Sequence, residues 1–308
     1  MKTLVTGATG FMGSHLVPAL VDQGHEVVAT DVVKEPHWIA SRPDVPYVRV
    51  DLDGDAEIRD LVSTVRPDSV VHLAGLLAEA CEAEPQLGFR VNVMASLSLL
   101  EACVANGVTR FVMTSSTAVF GRGLAEPVAD DAAKLPETVY GQTKLACEHM
   151  LSWYRRTHGL SVGAVRFPWV YGPGRTTGLT ALYSSLPFDA IARGEEAVVA
   201  NADQSGNWLY IKDAVKSLIL MLETCVHPRI AYNVVGGVHS VGDAMKIARE
   251  LFPDARIRIR KSSRAPYPYA SSFDDSRARD ELGWRPEYSI RRGMKEHVET
   301  VRRSLEVA

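Results

Sequence analysis

The strongest constraint on this chain lies in its first seventeen residues. A short apolar run, Thr3-Leu4-Val5-Thr6, leads directly into Gly7-Ala8-Thr9-Gly10-Phe11-Met12-Gly13 and then into a helical pattern, Ser14-His15-Leu16-Val17. Strand, glycine turn and helix in that order have a specific physical use. The first glycine allows a tight turn, the second lets backbone approach a pyrophosphate, and the third lets helix and strand pack closely. The free N–H groups at the helix start then receive the phosphates. The same glycine spacing also occurs in ordinary turns, but its place between strand and helix predicts a dinucleotide site at Gly7, Gly10, Phe11, Met12 and Gly13. Asp31 closes the next apolar run, about 20 residues on, where an acid accepts hydrogen bonds from ribose hydroxyls. A carboxylate there repels a 2′-phosphate, and no arginine directly follows it. The expected cofactor is therefore NAD rather than NADP.

The rest of the first half keeps this rhythm. Apolar runs at 3–6, 26–30, 47–50, 69–73, 110–114 and 161–167 alternate with helical patterns near 11–23, 55–66, 85–106 and 139–158. Continuous apolar strands alternating with helices indicate an α/β protein whose parallel sheet is covered on both faces, here a doubly wound (Rossmann) sheet. After Pro168 the pattern changes. Helical stretches are expected at 179–194, 212–225, 240–251, 274–282 and 289–305, with short strands near 231–235 and 256–260. The predicted organisation is an NAD-binding domain at 1–168 and, at 169–308, mainly a smaller substrate-binding lobe interleaved with it.

A helix covering only its own sheet shows one apolar stripe, yet 85–106 is apolar around most of its circumference (Leu87, Phe89, Val91, Val93, Met94, Leu97, Leu99, Leu100, Val104). Such a helix is either buried within one subunit or lies between two. A homodimer through 85–106 and 139–158 is the expectation. With 34 basic and 37 acidic residues among 308, the net charge of −3 gives no bias toward nucleic acid or an anionic membrane. The cysteines, Cys81, Cys103, Cys147 and Cys225, form no Cys-x-x-Cys pair. No metal site and no disulfide framework are expected, and a reduced, cytoplasmic compartment fits. The N-terminus lacks the apolar run and cleavage site of a secretory signal, and no apolar stretch is expected to approach the roughly 20 residues that cross a bilayer.

Tyr140 and Lys144 stand four apart in a helical pattern, one turn apart on one face. Free tyrosine, with a pKa of about 10, is a poor base at neutral pH, but an adjacent ammonium stabilises a phenolate. This is the chemistry that proton transfer to and from a substrate hydroxyl needs. Ser116 follows the fifth run, where its hydroxyl is available to a reacting oxygen.

Taken together, Gly7-x-x-Gly10-x-x-Gly13, Asp31, Asp51-Leu52, His72-Leu73-Ala74-Gly75, Val91-Asn92-Val93, Thr114-Ser115-Ser116, Tyr140-x-x-x-Lys144, Arg166-Phe167-Pro168 and Tyr171-Gly172-Pro173-Gly174 span most of the chain. In these the chain resembles the extended short-chain dehydrogenase/reductases of the NAD-dependent epimerase/dehydratase family. The resemblance implies that Asp51 and Leu52 flank the adenine, that Ala74 and Gly75 line the cofactor cleft, and that Pro168 lies near the nicotinamide. It implies that Lys144 bonds the nicotinamide ribose while Tyr140 exchanges the substrate proton. The family's catalytic Ser/Thr stands five residues before the glycine of a turn that reads Val119-Phe120-Gly121 here, which selects Ser116 and makes Thr117 a second donor. His72 is expected to be structural.

Departures from the family pattern bear on the reaction. Dehydratases of the family carry an Asp-Glu pair where this chain has Thr117-Ala118. Nucleotide-sugar enzymes place an asparagine where Trp169 stands, and an arginine before the segment Trp208-Leu209-Tyr210-Ile211-Lys212-Asp213; both contact the diphosphate, and here the second position is Asn207. The segment from Ala74 to Glu79, including Leu77, and the tail around Phe273-Asp274-Asp275 resemble short-chain L-threonine dehydrogenases, and the former also sugar-acid dehydrogenases. The expected reaction is NAD-dependent oxidation of a secondary alcohol in a small polar substrate, a hydroxy amino acid, sugar or sugar acid. The alternative is UDP-sugar 4-epimerisation. Leu77, Ser116, Thr117, Tyr140, Trp169, Arg175 and Thr176 are the expected substrate contacts, Arg175 through a carboxylate or phosphate.

Overall fold

The computed structural model describes residues 1–34, 38, 42–224, 226–261 and 269–307. Seven parallel strands form the main sheet, in the order β10-β6-β5-β4-β1-β2-β3. They are β1 (Lys2–Thr6), β2 (Glu26–Asp31), β3 (Tyr47–Arg49), β4 (Ser69–His72), β5 (Arg110–Ser116), β6 (Ser161–Phe167) and β10 (Ala231–Asn233). From β1 the chain winds outward through β2 and β3, then returns to β4 on the other side and winds outward again. That reversal opens a crevice beyond the carboxyl ends of β1 and β4, where open α/β sheets bind ligands.

Why the strands read as continuous apolar runs is visible in successive residues of β1. Leu4 packs in the core on one face with α2 (Asp55–Val65), α4 (Pro85–Ala105) and α5 (Val139–His158); Val5 packs in the core on the other face with α1 (Phe11–Asp22) and α8 (Ile211–Glu223). With both faces covered, no position is left for the polar half of an alternating pattern.

The structure departs from the sequence reading in several places. The segment expected as a lobe strand near 231–235 contributes β10, which pairs with β6 as the seventh strand of the main sheet. The apolar α4 is, by length and composition, long enough to cross a bilayer, contrary to the expectation from the sequence. In the fold it lies over the sheet, burying Asn92, Ser96, Leu99, Leu100 and Cys103, with a π turn at Arg90–Met94. Phe89 and Met94, and Trp153 on α5, remain exposed.

Outside the main sheet, β7 (Trp169–Tyr171), β9 (Ser205–Tyr210) and β11 (Gly237–Ser240) form a three-stranded sheet, and β8 (Ala197–Ala200) pairs with β12 (Ile257–Arg260). The expected helix at 179–194 is two short ones, α6 (Ala181–Ser184) and α7 (Leu186–Ala192), separated at Ser185, whose φ of −128° is not helical. Helices α9 (Val241–Leu251), α10 (Ser276–Leu282) and α11 (Ile290–Val307) complete the chain, α3 (Ala78–Ala83) having preceded α4.

Candidate active site

The glycine turn has the geometry its residues predict. Gly7 adopts φ +66°, and a Cβ there would lie 2.6 Å from the Ala74 nitrogen, so a side chain is excluded both by conformation and by the neighbouring strand end. A Cβ on Gly13 would lie 2.5 Å from the Gly7 carbonyl oxygen. Gly10 begins α1 with no side-chain cap, which leaves the first-turn N–H groups for an anion. Asp31 fastens this turn to the second strand: Thr9 donates to Oδ2 from its backbone N (3.0 Å) and from Oγ1 (2.7 Å), and Val32 N donates to Oδ1 (2.7 Å). Asp51 lies on an exposed turn and accepts from Asp53 N, while Leu52 is half-buried against the α2–α4 core.

The ends of β4 and β5 meet the start of α5 beside this turn. Ala74 N donates to Thr6 Oγ1 at 3.4 Å, and the Cβ position of Gly75 lies 3.0 Å from Asn92 Oδ1 and 3.7 Å from Lys144 Nζ. Lys144 is buried; its Nζ donates to the Thr114 carbonyl at 3.1 Å and stands 5.7 Å from the Tyr140 ring centroid. Ser116 caps the turn Thr117–Val119, its Oγ accepting from Ala118 N at 3.1 Å. That turn packs so closely on α5 that any side chain at Gly141 would collide with the Ala118 carbonyl. Thr117 Oγ1 donates to the Phe167 carbonyl at 3.4 Å, next to Pro168. Ser116, Thr117, Tyr140, Lys144, Gly75 and Pro168 thus gather at one end of the sheet, reached from β4, β5, β6 and α5.

His72 belongs to the support of this region. It is buried, within hydrogen-bond distance of Thr6 Oγ1 (2.7 Å) and Ser96 Oγ (2.9 Å), and burial with the nearby Lys144 charge pulls its pKa down to about 3. A ring held neutral in this way carries a single ring proton and no charge at working pH. Beneath β5 and β6, Arg166 grips Glu148 with two hydrogen bonds (Nε to Oε1, 2.8 Å; Nη2 to Oε2, 2.7 Å) and donates to the Asp130 carbonyl at 3.0 Å. Ser115 Oγ donates to Glu148 Oε1 at 2.6 Å. The network ties β5, β6 and α5 together one residue from Ser116. Burial pushes the Asp130 carboxyl up to about 6, against the Asn233 N–H and the Arg166 charge.

In the three-stranded sheet, Trp169 packs between Tyr183 (5.7 Å between ring centroids) and Trp208 (6.0 Å), and its indole covers Gly206 so closely that no side chain fits there. Asn207, just before the segment Trp208–Asp213, is buried with its Oδ1 accepting from Gly236 N at 2.7 Å. Leu77 is exposed at the start of α3, and Thr176 is exposed on the loop after β7. Arg175 does not lie free on that loop: it bonds the Val170 carbonyl and Thr180 Oγ1 (2.7 Å) and stacks its Cζ 5.6 Å from the Phe11 ring centroid.

Several participants were not singled out from sequence. Glu82, on α3, accepts from the N–H groups of Val139 (2.7 Å) and Tyr140 (3.4 Å), anchoring the start of the helix that carries Tyr140. Glu79, one turn earlier, accepts from Leu179 N on the loop after β7. Asn92, in the π turn, accepts from Leu76 N at 2.7 Å and donates to Thr143 Oγ1 at 3.1 Å. A π turn carrying such a residue is a common functional-site feature. The partners lie 16 to 100 residues away, so only Asn92, in the Val-Asn-Val motif, had a local signal.

The model of the NAD dependent epimerase/dehydratase family matches residues 3–235. The chain belongs to this family. It is an NAD-dependent enzyme of the extended short-chain dehydrogenase/reductase type, and the open helix start beside Gly7, Gly10 and Gly13 fits that cofactor. Dehydrogenases and epimerases both stand among its relatives. D-erythronate dehydrogenase of Haemophilus influenzae is 30% identical over 215 residues, covering 68% of each chain. The structure of a GalE-like L-threonine dehydrogenase from Cupriavidus necator in holo form superposes with a TM-score of 0.87 at 28% identity, covering 99% of this chain and 100% of that one. The structure of UDP-glucose 4-epimerase from Thermus thermophilus in complex with NAD gives 0.85 at 26% identity, covering 98% and 99%.

Proposed function

We propose that this enzyme oxidises a secondary alcohol of a small polar substrate, a hydroxy amino acid, sugar or sugar acid. The observation that carries the reading is the wall formed by Trp169, Tyr183 and Trp208 together with the engaged amide of Asn207. The two positions that nucleotide-sugar enzymes of the family use for the diphosphate hold a packed indole and an amide already bonded to backbone. A dianionic diphosphate is a poor match for that surface.

When bound, NAD⁺ would accept the hydride from the alcohol carbon; Tyr140 takes the hydroxyl proton from the same group, which leaves a ketone. Lys144, fixed by the Thr114 carbonyl, supplies the positive charge that favours the phenolate. Ser116 donates to the reacting oxygen. Gly7, Gly10, Phe11, Met12, Gly13, Asp31, Asp51, Leu52, Ala74, Gly75 and Pro168 line the cofactor; Leu77, Thr117, Trp169, Arg175 and Thr176 line the substrate. We infer a homodimer through α4 and α5, supported by the exposed Phe89, Met94 and Trp153, and a cytoplasmic location, supported by the free, buried Cys81, Cys103 and Cys147.

The test is incubation of the purified enzyme with NAD and a panel of L-threonine, aldonic and uronic acids, simple sugars and UDP-sugars. Net NADH formation with a small alcohol is expected. Conversion of a UDP-sugar without net NADH would instead establish 4-epimerisation, the second reading, which the full-length match to an epimerase structure favours.

A further inference from the structure

The loop after β7 reverses direction at Gly174 (φ +87°) and again at Gly178 (φ +92°), folding Arg175 back toward the crevice. Three restraints then hold its guanidinium. One amino group donates to the Val170 carbonyl, the other to Thr180 Oγ1, and the plane rests near the ring of Phe11, the first residue of α1. Arg175 Nη2 and Leu77 Cδ1 both lie 3.3 Å from the Cβ position of Gly178, so the cation sits beside the segment that follows β4.

No carboxylate among the described residues lies within ion-pair distance of Arg175. Glu79, whose charge acts on Arg175, is engaged by Leu179 N. Burial lowers the Arg175 pKa to about 10, opposed by the Tyr140 phenol and by Glu79, so the group stays charged at neutral pH and shares the electrostatic neighbourhood of Tyr140. Arg175 is half-buried, and a guanidinium partly withdrawn from water without a counter-ion is favoured by an anion that joins it. With five N–H donors and two bonded, it retains the fork that a carboxylate accepts in two-point fashion.

We propose that Arg175 receives a carboxylate of the substrate, so that the alcohol oxidised at Tyr140 is a hydroxy acid rather than a neutral sugar. The proposal rests on the dehydrogenase reading above. The cofactor's pyrophosphate is the competing anion, but it has the uncapped start of α1, whereas Arg175 is tethered to Val170 and Thr180 on the substrate side.

The experiment uses malonate, a carboxylate with no hydroxyl to oxidise, titrated calorimetrically into the NADH-loaded enzyme, with malonamide as the uncharged control. Malonate is expected to bind and malonamide not. Arg175→Gln should weaken malonate by about 10- to 100-fold, the loss expected for charged hydrogen bonds, and leave NADH affinity within about twofold, while Arg175→Lys should restore part of the loss because it keeps the charge without the fork. With any alcohol that yields NADH, Arg175→Gln should lower the preference for the acid over its amide, chiefly through KM. Unchanged malonate binding in Arg175→Gln would overturn the proposal. So would a loss of NADH affinity in that variant, which would assign the cation to the cofactor. If no alcohol yields NADH the dehydrogenase reading fails, and the malonate titration still decides whether an anion site is present.

Discussion

The two sides of this crevice, one of which we assign to the cofactor and the other to the substrate, are built differently. On the cofactor side each functional position is a strand end or the helix start that follows it: Gly7 to Gly13 after β1, Asp31 after β2, Ala74 and Gly75 after β4. The parallel register aligns these ends, with Thr6 opposite both Thr30 and His72, so a short sequence motif suffices to set the geometry. On the substrate side the parts come from separate stretches of chain. Trp169 meets Trp208 and Tyr183, Arg175 meets Phe11, and Glu79 and Glu82 on one short helix hold the substrate loop and the start of α5. A family can keep the first side fixed while the second changes with the substrate.

The largest test of this division is Tyr140→Phe. Removing the hydroxyl should lower kcat by about 1000-fold, within the usual range for a general acid–base group, with NAD affinity unchanged by calorimetry. A parallel loss of NAD binding would show that the two sides are not separable at this residue. Arg166→Met tests the support beneath both. It leaves the buried Glu148 without its partner, and breaking such a pair costs about 3–5 kcal/mol. Urea unfolding should show a loss of that size, and a change below about 1 kcal/mol would mean that the network is not a structural tie.

The pH dependence of stability bears on the strand ends. His72 and His227 are held by burial at pKa values of about 3 and about 4, below the ordinary 6.5. In the unfolded chain both protonate as pH falls through 6.5, while the folded protein keeps them neutral. Stability is therefore intact above that pH and declines below it, by roughly 1 kcal/mol per pH unit for each histidine. Asp130, raised to about 6, opposes part of this decline between about pH 6 and 4, because the folded state takes up its proton first. Urea midpoints from pH 7 to 4.5 measure the slope, and His72→Gln should flatten it. Glu82→Gln should have the smallest effect, lowering kcat about two- to fivefold, in keeping with loss of a charged acceptor at a helix N-terminus, with the urea midpoint nearly unchanged.

The same contrast explains what could be read from the sequence. The doubly wound sheet, the glycine turn, Asp31 and the helical spacing of Tyr140 and Lys144 are local patterns with local causes. β10 was harder to place because three residues, Ala231-Tyr232-Asn233, join a sheet whose neighbouring strand lies some sixty residues earlier. β7 and β9 were unreadable for a related reason: Trp169–Tyr171 is too short for a period, and β9 opens with Ser205-Gly206-Asn207, polar in sequence yet occupied by Trp169 and Gly236 in the fold. Nothing local in the sequence marks Glu79 and Glu82, because their acceptor role depends on backbone N–H groups that only folding brings to them.

The central claim is that the substrate side is closed to a nucleotide diphosphate, and it can be measured without knowing the substrate. UDP should be titrated calorimetrically into the NADH-loaded enzyme. With Trp169 packed and Asn207 engaged, no binding is expected below millimolar concentrations. Saturable UDP binding in the micromolar range, lost on addition of a UDP-sugar competitor, would contradict the account and move the enzyme to the epimerases.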